Sequence, residues 1–149
     1  MPPLLSKSRF LAGLQCHLRL WHQCYNRDLA TPPGPMQQAI FDIGHQVGKL
    51  ATERYPGGIL IKEKYFHHEK AVQTTLDVMA QPDVDAIFEA AYTEDGVRIR
   101  ADVMERRPAG RWNLIEVKSS TRLKDEHRTD VAVQYHVLKT AGIDIEQAY

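Results

Sequence analysis

The sequence contains few of the features that mark secreted, membrane or disulfide-rich proteins. It has only two cysteines among 149 residues, Cys16 and Cys24. Two cysteines are too few for a disulfide framework and predict free thiols in a reducing compartment. No apolar run approaches the roughly 20 residues that span a bilayer, and the N-terminus lacks the apolar segment of a signal peptide. We therefore expect a cytoplasmic protein with no membrane partner.

The sequence also lacks an excess of charge of either sign. Its 19 basic and 19 acidic side chains give a formal net charge of 0. Proteins that bind nucleic acids often carry excess positive charge, so any contact with phosphates has to come from local basic patches. The candidate nucleic-acid-binding residues are Lys7, Arg9 and Arg19 near the N-terminus, and Arg122 and Lys124 later in the chain.

The length and composition predict one domain spanning residues 1–149. A chain of 149 residues that is 43% hydrophobic can bury a substantial core. Helical spacing, turn residues and caps predict helices over about 6–25, 36–54, 69–80 and 125–141, with strands at 59–62 and 143–149. Because the sequence ends inside a predicted strand, we expect the native chain to be longer and to carry further domains.

Two turns in the middle of the sequence predict a three-stranded antiparallel meander. Asp95-Gly96 is typical of a two-residue hairpin turn, which pairs residues whose numbers sum to 191. The loop from Pro108 to Gly110 suits a three-residue hairpin, which pairs residues whose numbers sum to 218. The second and third strands of this meander are expected to run from Arg98 to Arg106 and from Arg111 to Ser119.

These two registers place three carboxylates in a row across the meander. Glu89 lies opposite Asp102, and Asp102 lies opposite Glu116, with Lys118 two residues further along the same face. The alternate positions are apolar, which predicts a face packed on the core and a charged face left open. Carboxylates that face each other destabilise a sheet by about 0.2–1 kcal/mol per pair, so the row requires a cation, either a basic side chain or a divalent metal. The alternative is an ordinary solvated surface.

The residues of this row occur in segments that resemble a known nuclease motif. Arg100-Ala101-Asp102-Val103 and Leu114-Ile115-Glu116-Val117-Lys118 are similar to the core of the PD-(D/E)XK nuclease superfamily, in particular its RecB-like exonuclease branch, which includes CRISPR-associated exonucleases. The resemblance implies that Asp102 and Glu116 bind Mg²⁺ or Mn²⁺ and that Lys118 orients the attacking water or stabilises developing charge. Hard cations of this kind prefer carboxylate oxygens and activate water.

The same resemblance implies a fold. It is an α/β (α+β type) fold with a restriction-endonuclease-like core, in which N-terminal helices flank a central mixed sheet. That sheet consists of an antiparallel three-strand meander plus a further strand after a crossover helix. The N-terminal run from Leu5 to Cys16 is similar to the opening of RecB-like nucleases.

Two helices on either side of the meander contribute the remaining candidates. His45, upstream, matches a family histidine that serves as an additional metal ligand and favours Mn²⁺. Gln134, downstream, matches a family glutamine, but the tyrosine usually found four residues later is replaced by Leu138, and Tyr135 is adjacent instead. Glu89 is proposed as a metal ligand from the register alone.

Some RecB-like nucleases hold an iron–sulfur cluster that uses three cysteines after the nuclease motifs. No cysteine follows Lys118, so we expect no complete cluster within this chain.

Three functions remain open at this point. The leading hypothesis is a metal-dependent DNA nuclease, most simply an exonuclease on single- or double-stranded DNA, with Asp102, Glu116, Lys118 and Gln134 as its catalytic residues. The alternatives are an inactive nucleic-acid-binding module and a scaffolding domain of a larger protein.

Overall fold

The structure, a computed structural model, describes residues 4–149 and shows a mixed α/β fold. Within this range it contains five α-helices and one mixed sheet of six strands. The helices are α1 (Lys7–Gln15), α2 (His17–Tyr25), α3 (Pro35–Glu53), α4 (His68–Met79) and α5 (Asp125–Thr140). The strands are β1 (Leu5–Ser6), β2 (Ile59–Leu60), β3 (Ala86–Glu94), β4 (Val97–Arg106), β5 (Trp112–Ile115) and β6 (Ile145–Ala148).

The predicted meander forms the centre of this sheet. The three strands β3, β4 and β5 pair antiparallel in that order. After the crossover through α5, β6 pairs parallel with β5, as expected for the last strand. Two short parallel strands complete the sheet, with β2 beside β3 and β1 beside β4. The sequence did not reveal β1, because two residues are too few to show a strand period.

Both predicted registers are confirmed where the strands pair. Val103 lies opposite Phe88 on one side and opposite Ile115 on the other, as the two turns require. The turn between β3 and β4 is made by Asp95 and Gly96, with φ angles of 49° and 74°. Two consecutive positive φ angles match the right-handed twist of the flanking strands. Local turn chemistry therefore determines the alignment of the meander.

The single N-terminal helix predicted over residues 6–25 is wrong, because the structure divides it at Cys16. The backbone of Cys16 is extended, with φ −163° and ψ 119°, and this residue ends α1 and precedes α2. The break allows α2 to fold back on α1, where Leu20 packs against Gly13; a Cβ at Gly13 would lie 2.9 Å from Leu20 Cδ2. The predicted cap is confirmed, since the Ser6 hydroxyl accepts a hydrogen bond from the Arg9 amide at 3.3 Å.

The predicted division into a packed apolar face and an open charged face holds only in part. In β4, Arg98, Arg100 and Asp102 are half-buried and alternate with buried apolar residues, but the start of β3 is covered on both sides. Residues 86–88 are all buried in succession, although neighbouring side chains of a strand point to opposite faces. Met104 and Leu114 belong to a large core cluster with residues of α4 and α5. Val103 belongs to a smaller cluster, against which Tyr55 packs.

Helix α3 is the most exposed element of the described chain. None of its 19 residues is buried. Three of its apolar side chains, Met36, Ile40 and Leu50, are 58–81% exposed. Even so, the helices of residues 4–149 include none with the length and apolar character needed to cross a membrane.

A close contact at Gly58 gives a test of the packing beside β2. A Cβ at this position would lie 2.5 Å from two ring atoms of Phe88, and Phe88 is only 4% exposed. Because the buried ring cannot move freely, we expect Gly58→Ala to lower the free energy of unfolding by about 1–3 kcal/mol. Urea denaturation measures this change.

The matched control is Gly48→Ala, the same substitution within α3. No atom lies within 4 Å of a Cβ built at Gly48. Alanine in a helix interior is favoured over glycine by about 0.5–1 kcal/mol, so this control should stabilise the protein. Equal effects of the two substitutions would contradict the packing described for Gly58.

Candidate functional site

Asp102 and Glu116 meet where the pairing of β4 and β5 ends. The strand predicted to reach Ser119 stops at Ile115, and residues 116–124 are irregular. The Val117 amide donates to the Asp102 carboxylate, with N to Oδ2 at 2.7 Å. A side chain thus satisfies the backbone group that a longer ladder would have paired. This bond holds Asp102 beside the segment that carries Glu116.

Two ammonium groups bridge two buried carboxylates at this point. Lys118 Nζ lies 2.6 Å from both Glu116 Oε1 and Asp130 Oδ2. Lys7 Nζ lies 3.1 Å from Glu116 Oε1 and 3.0 Å from Asp130 Oδ1. The side chains of Glu116 and Asp130 are only 4% and 5% exposed. Charges this buried require partners, and each carboxylate here has both lysines.

Gln134 completes the cluster from α5. Its side chain is fully buried, and Nε2 donates to Glu116 Oε2 at 2.6 Å and to Asp130 Oδ1 at 3.1 Å. The amide oxygen Oε1 accepts no hydrogen bond from residues 4–149. A buried acceptor without a partner costs about 1–3 kcal/mol. Gln134 therefore presents an unfilled acceptor next to the carboxylates.

The electrostatic environment of Asp102 is unfavourable to its charge. Burial raises the pKa of Asp102 to about 6, and the charges of Glu116 and Glu89 add to this effect. The hydrogen bond from Val117 and the charge of Lys7 act in the opposite direction but do not cancel it. The charged form of Asp102 is therefore disfavoured, first by burial and then by its acidic neighbours, and a nearby cation would favour it.

The lysines and Asp130 stabilise one another's charged forms. Burial by itself would lower the pKa of Lys118, but its contacts with Asp130 and Glu116 outweigh burial and raise it. The same balance raises the pKa of Lys7. Burial would raise the pKa of Asp130, yet Lys7 and Lys118 hold it below its ordinary value. Both lysines are therefore cations at neutral pH, and neither serves as a proton acceptor there.

Glu89 occupies a strained position in the middle of β3. The register is unchanged on both sides of it, with Phe88 opposite Val103 and Ala90 opposite Ala101. Between these pairs, the φ of Glu89 is 57°, a left-handed conformation that costs a non-glycine residue about 1–3 kcal/mol. The ladder is interrupted at this residue, so Glu89 faces Asp102 without the regular pairing that the register predicted.

His45 affects the acidic row only through its charge, which acts on Glu89. Loss of hydration raises the pKa of Glu89, while Arg100, Lys7 and His45 act to lower it. His45 itself lies exposed on α3. Among residues 4–149, no group of three or more histidine, cysteine, aspartate or glutamate side chains is close enough to hold a metal ion. The predicted ligands Asp102, Glu116, Glu89 and His45 are neighbours but do not form a closed metal cage.

The five predicted nucleic-acid-binding residues lie in different environments. Lys7 is held within the cluster, and Arg9 donates to the backbone oxygen of Gln23 at 3.1 Å. Arg19 is exposed and bonds the Gln15 side chain. Lys124 is half exposed and lies 3.6 Å from Glu126. Arg122 is exposed at the edge of a cavity beside Lys118.

The sequence did not predict Asp130 as a site residue, and it predicted Lys7 as a nucleic-acid-binding residue. Asp130 precedes Gln134 by four residues, so both lie on one face of α5, and this spacing was the available signal. No sequence pattern connects Lys7 with Glu116, because their contact depends on how α1 docks on the sheet. Leu138, at the position where the RecB-like motif has a tyrosine, is fully buried in the core, and Tyr135 is 40% exposed.

Comparisons of the chain with protein-family models, with curated proteins and with solved structures found no significant match. The interpretation of the cluster therefore depends on its own chemistry and on the resemblance of its motifs.

The raised pKa of Asp102 predicts a pH-dependent effect of Asp102→Asn on stability. The folded state holds this proton more tightly than the unfolded chain, whose ordinary pKa is 3.8. The contribution of Asp102 to the unfolding free energy therefore falls as the pH rises from about 4 to about 6. Asparagine keeps an acceptor for Val117 without the charge. We expect the change in unfolding free energy caused by Asp102→Asn to be about 1–3 kcal/mol more stabilising at pH 7 than at pH 4.

Urea denaturation at several pH values between 4 and 7 measures this difference. The control is Asp83→Asn, which removes an exposed carboxylate before β3. A stability difference between Asp102→Asn and wild type that stays constant from pH 4 to pH 7 would contradict the prediction.

Proposed function

We propose that this chain is a metal-dependent nuclease domain of the RecB-like type that hydrolyses phosphodiester bonds in DNA. One observation carries the proposal. Asp102, Glu116, Lys118 and Gln134, each predicted as catalytic from the sequence, converge on a single cluster from β4, the segment after β5, and α5. An ordinary solvated surface does not bury Glu116 and Gln134 in this way.

The arrangement of the sheet supports a restriction-endonuclease-like core. The resemblance implies a three-strand meander followed by a crossover helix and a further strand, and β3, β4, β5, α5 and β6 have this order and pairing. In this arrangement, the acidic residue of β4 lies just beyond the last pair between β4 and β5, beside the motif that follows β5.

The residues around Asp102 fit a divalent cation in chemical type and in charge. Mg²⁺ and Mn²⁺ prefer oxygen ligands, and Asp102, Glu116 and Glu89 would hold the ion, with His45 nearby on α3. The mutual repulsion of these carboxylates and the free oxygen of Gln134 leave an unmet need for a cation or a donor. When bound, such an ion would polarise the phosphoryl group and lower the pKa of a water molecule.

The side chains of the cluster have separate roles in this proposal. Lys118 remains charged at neutral pH, so it stabilises negative charge that develops on the phosphoryl oxygens and does not act as a base. Asp102 is close to its titration point near neutrality, and its Oδ1 accepts no hydrogen bond from residues 4–149. Gln134 fixes the orientation of Glu116 through the 2.6 Å bond to Oε2.

A second candidate is a nucleic-acid-binding module without catalysis. It is favoured because both carboxylate oxygens of Glu116 already accept hydrogen bonds. Lys7 donates to both oxygens, Lys118 donates to Oε1, and Gln134 donates to Oε2. A metal that coordinates Glu116 has to compete with these donors. If they are never displaced, the cluster serves only to hold the structure together.

Cleavage assays separate the two candidates. With Mn²⁺ or Mg²⁺, the wild-type protein is expected to degrade DNA, while Asp102→Ala and Lys118→Ala should each lower the rate by at least about a hundredfold, since each removes a charge at the reacting phosphate. The matched controls are Asp83→Ala and Lys139→Ala, exposed residues of the same types outside the cluster. Equal rates for all five proteins, or no cleavage by any, would rule out the nuclease assignment.

Metal binding is tested independently of turnover. We expect Mn²⁺ to raise the melting temperature of the wild-type protein, because a ligand that binds only the folded state stabilises it. Glu116→Gln should abolish this shift, and Lys7→Met should enlarge it, since Lys7 competes for both oxygens of Glu116. Glu126→Gln, at an exposed position of α5, is the control. A Mn²⁺-induced shift that is unchanged in Glu116→Gln would exclude Glu116 as a ligand.

A further inference from the structure

A cavity opens directly beside the cluster, on the side of the irregular segment after β5. Its volume is about 700 Å³, and Glu116 and Lys118 form part of its wall. The first half of α5 also lines the cavity, including Arg128 and Val131, and so do Ala148 and Tyr149. Cavities of roughly 300–1,000 Å³ are typical of small-molecule sites. A ligand in this cavity would lie against Glu116 and Lys118 of the cluster.

Two arginines that line the cavity form no ion pair within residues 4–149. Arg122 and Arg128 both line the cavity, and both are exposed. Neither has a carboxylate within 4.0 Å among residues 4–149. By contrast, Lys124, two residues after Arg122, lies 3.6 Å from Glu126. Two guanidinium groups without partners are suited to an anion such as a phosphate diester, which they recognise through paired N–H donors.

The same cavity also offers apolar surface. Leu123 is 67% exposed although it is a large aliphatic residue, and Val131 and Ala148 line the wall near it. The hydroxyls of Ser120 and Thr121 lie on the intervening segment. A ligand for this site therefore combines an anionic group with a flat or apolar body, which are the two parts of a nucleotide.

We propose that this cavity binds one nucleotide of a single-stranded DNA, adjacent to the phosphodiester that reaches the cluster. The proposal rests on the nuclease function and adds a substrate class to it. In a duplex, a base is stacked and paired, and it has to leave the stack to enter a concave site. The cavity therefore favours single strands and frayed ends over intact duplexes.

Oligonucleotide binding without metal tests this proposal separately from catalysis. The probe is a fluorescein-labelled oligothymidylate of about 12 nucleotides, a length within the usual range of single-strand sites. Its dissociation constant is measured by fluorescence anisotropy in EDTA and compared with that of the corresponding oligothymidylate–oligoadenylate duplex. Arg122→Ala and Arg128→Ala should each weaken binding of the single strand by about tenfold, the loss expected for one charge-assisted contact.

Two further measurements make the test specific. Each arginine substitution should also reduce the slope of log K against log salt by about 0.7, the value for one lost phosphate contact on a single strand. Leu123→Asp should weaken binding as well, because it places a carboxylate on the apolar wall. Arg111→Ala is the matched control: it removes the same charge from a residue that pairs with Glu146, outside the cavity.

The outcomes distinguish this proposal from the nuclease assignment. Binding that weakens in the cavity variants, with wild-type affinity in Arg111→Ala and in Asp83→Ala, an exposed position outside the cavity, supports the nucleotide site even if no cleavage occurs. Duplex binding as tight as that of the single strand, or wild-type affinity in both Arg122→Ala and Arg128→Ala, would overturn it even if the protein cleaves DNA.

Discussion

The contact of two lysines with two buried carboxylates is the interaction on which the rest of the structure depends. Glu116 follows β5, Asp130 belongs to α5, and Lys7 comes from the first turn of α1. Carboxylates that are at most 5% exposed are tolerated in a protein interior only when cations accompany them. Docking of α1 and of α5 on the sheet is therefore a condition for burying the acidic residues at all.

The sequence determined the alignment of the meander because turn residues act locally. Asp95 and Gly96 adopt positive φ angles, and this geometry alone places Phe88 opposite Val103. The contacts of Lys7 could not be predicted in this way, because they are not local in the sequence. They depend on the packing of separate helices, which no periodic pattern encodes. The Cys16 break belongs to the same class, since it accompanies the packing of Leu20 in α2 against Gly13 in α1.

Glu89 shows what a register can and cannot predict. The register correctly places Glu89 across from Asp102, since the pairs on both sides keep the same alignment. It gives no indication that Glu89 leaves the ladder with a φ of 57°. Strained residues of this kind are retained where the surrounding structure holds them, often at functional sites. In this chain, the strained residue is Glu89, whose charge adds to the larger effects of burial and of Glu116 in raising the pKa of Asp102.

The bond between Lys7 and Glu116 has a consequence for the order of folding, because it joins residues 109 positions apart. Contacts of such long range form slowly, since closing the intervening loop costs entropy before the contact is made. During synthesis, the N-terminal helix emerges long before Asp130 exists. Lys7 can therefore form these contacts only after almost the whole chain has been synthesised, and the cluster is among the last parts of the molecule to assemble.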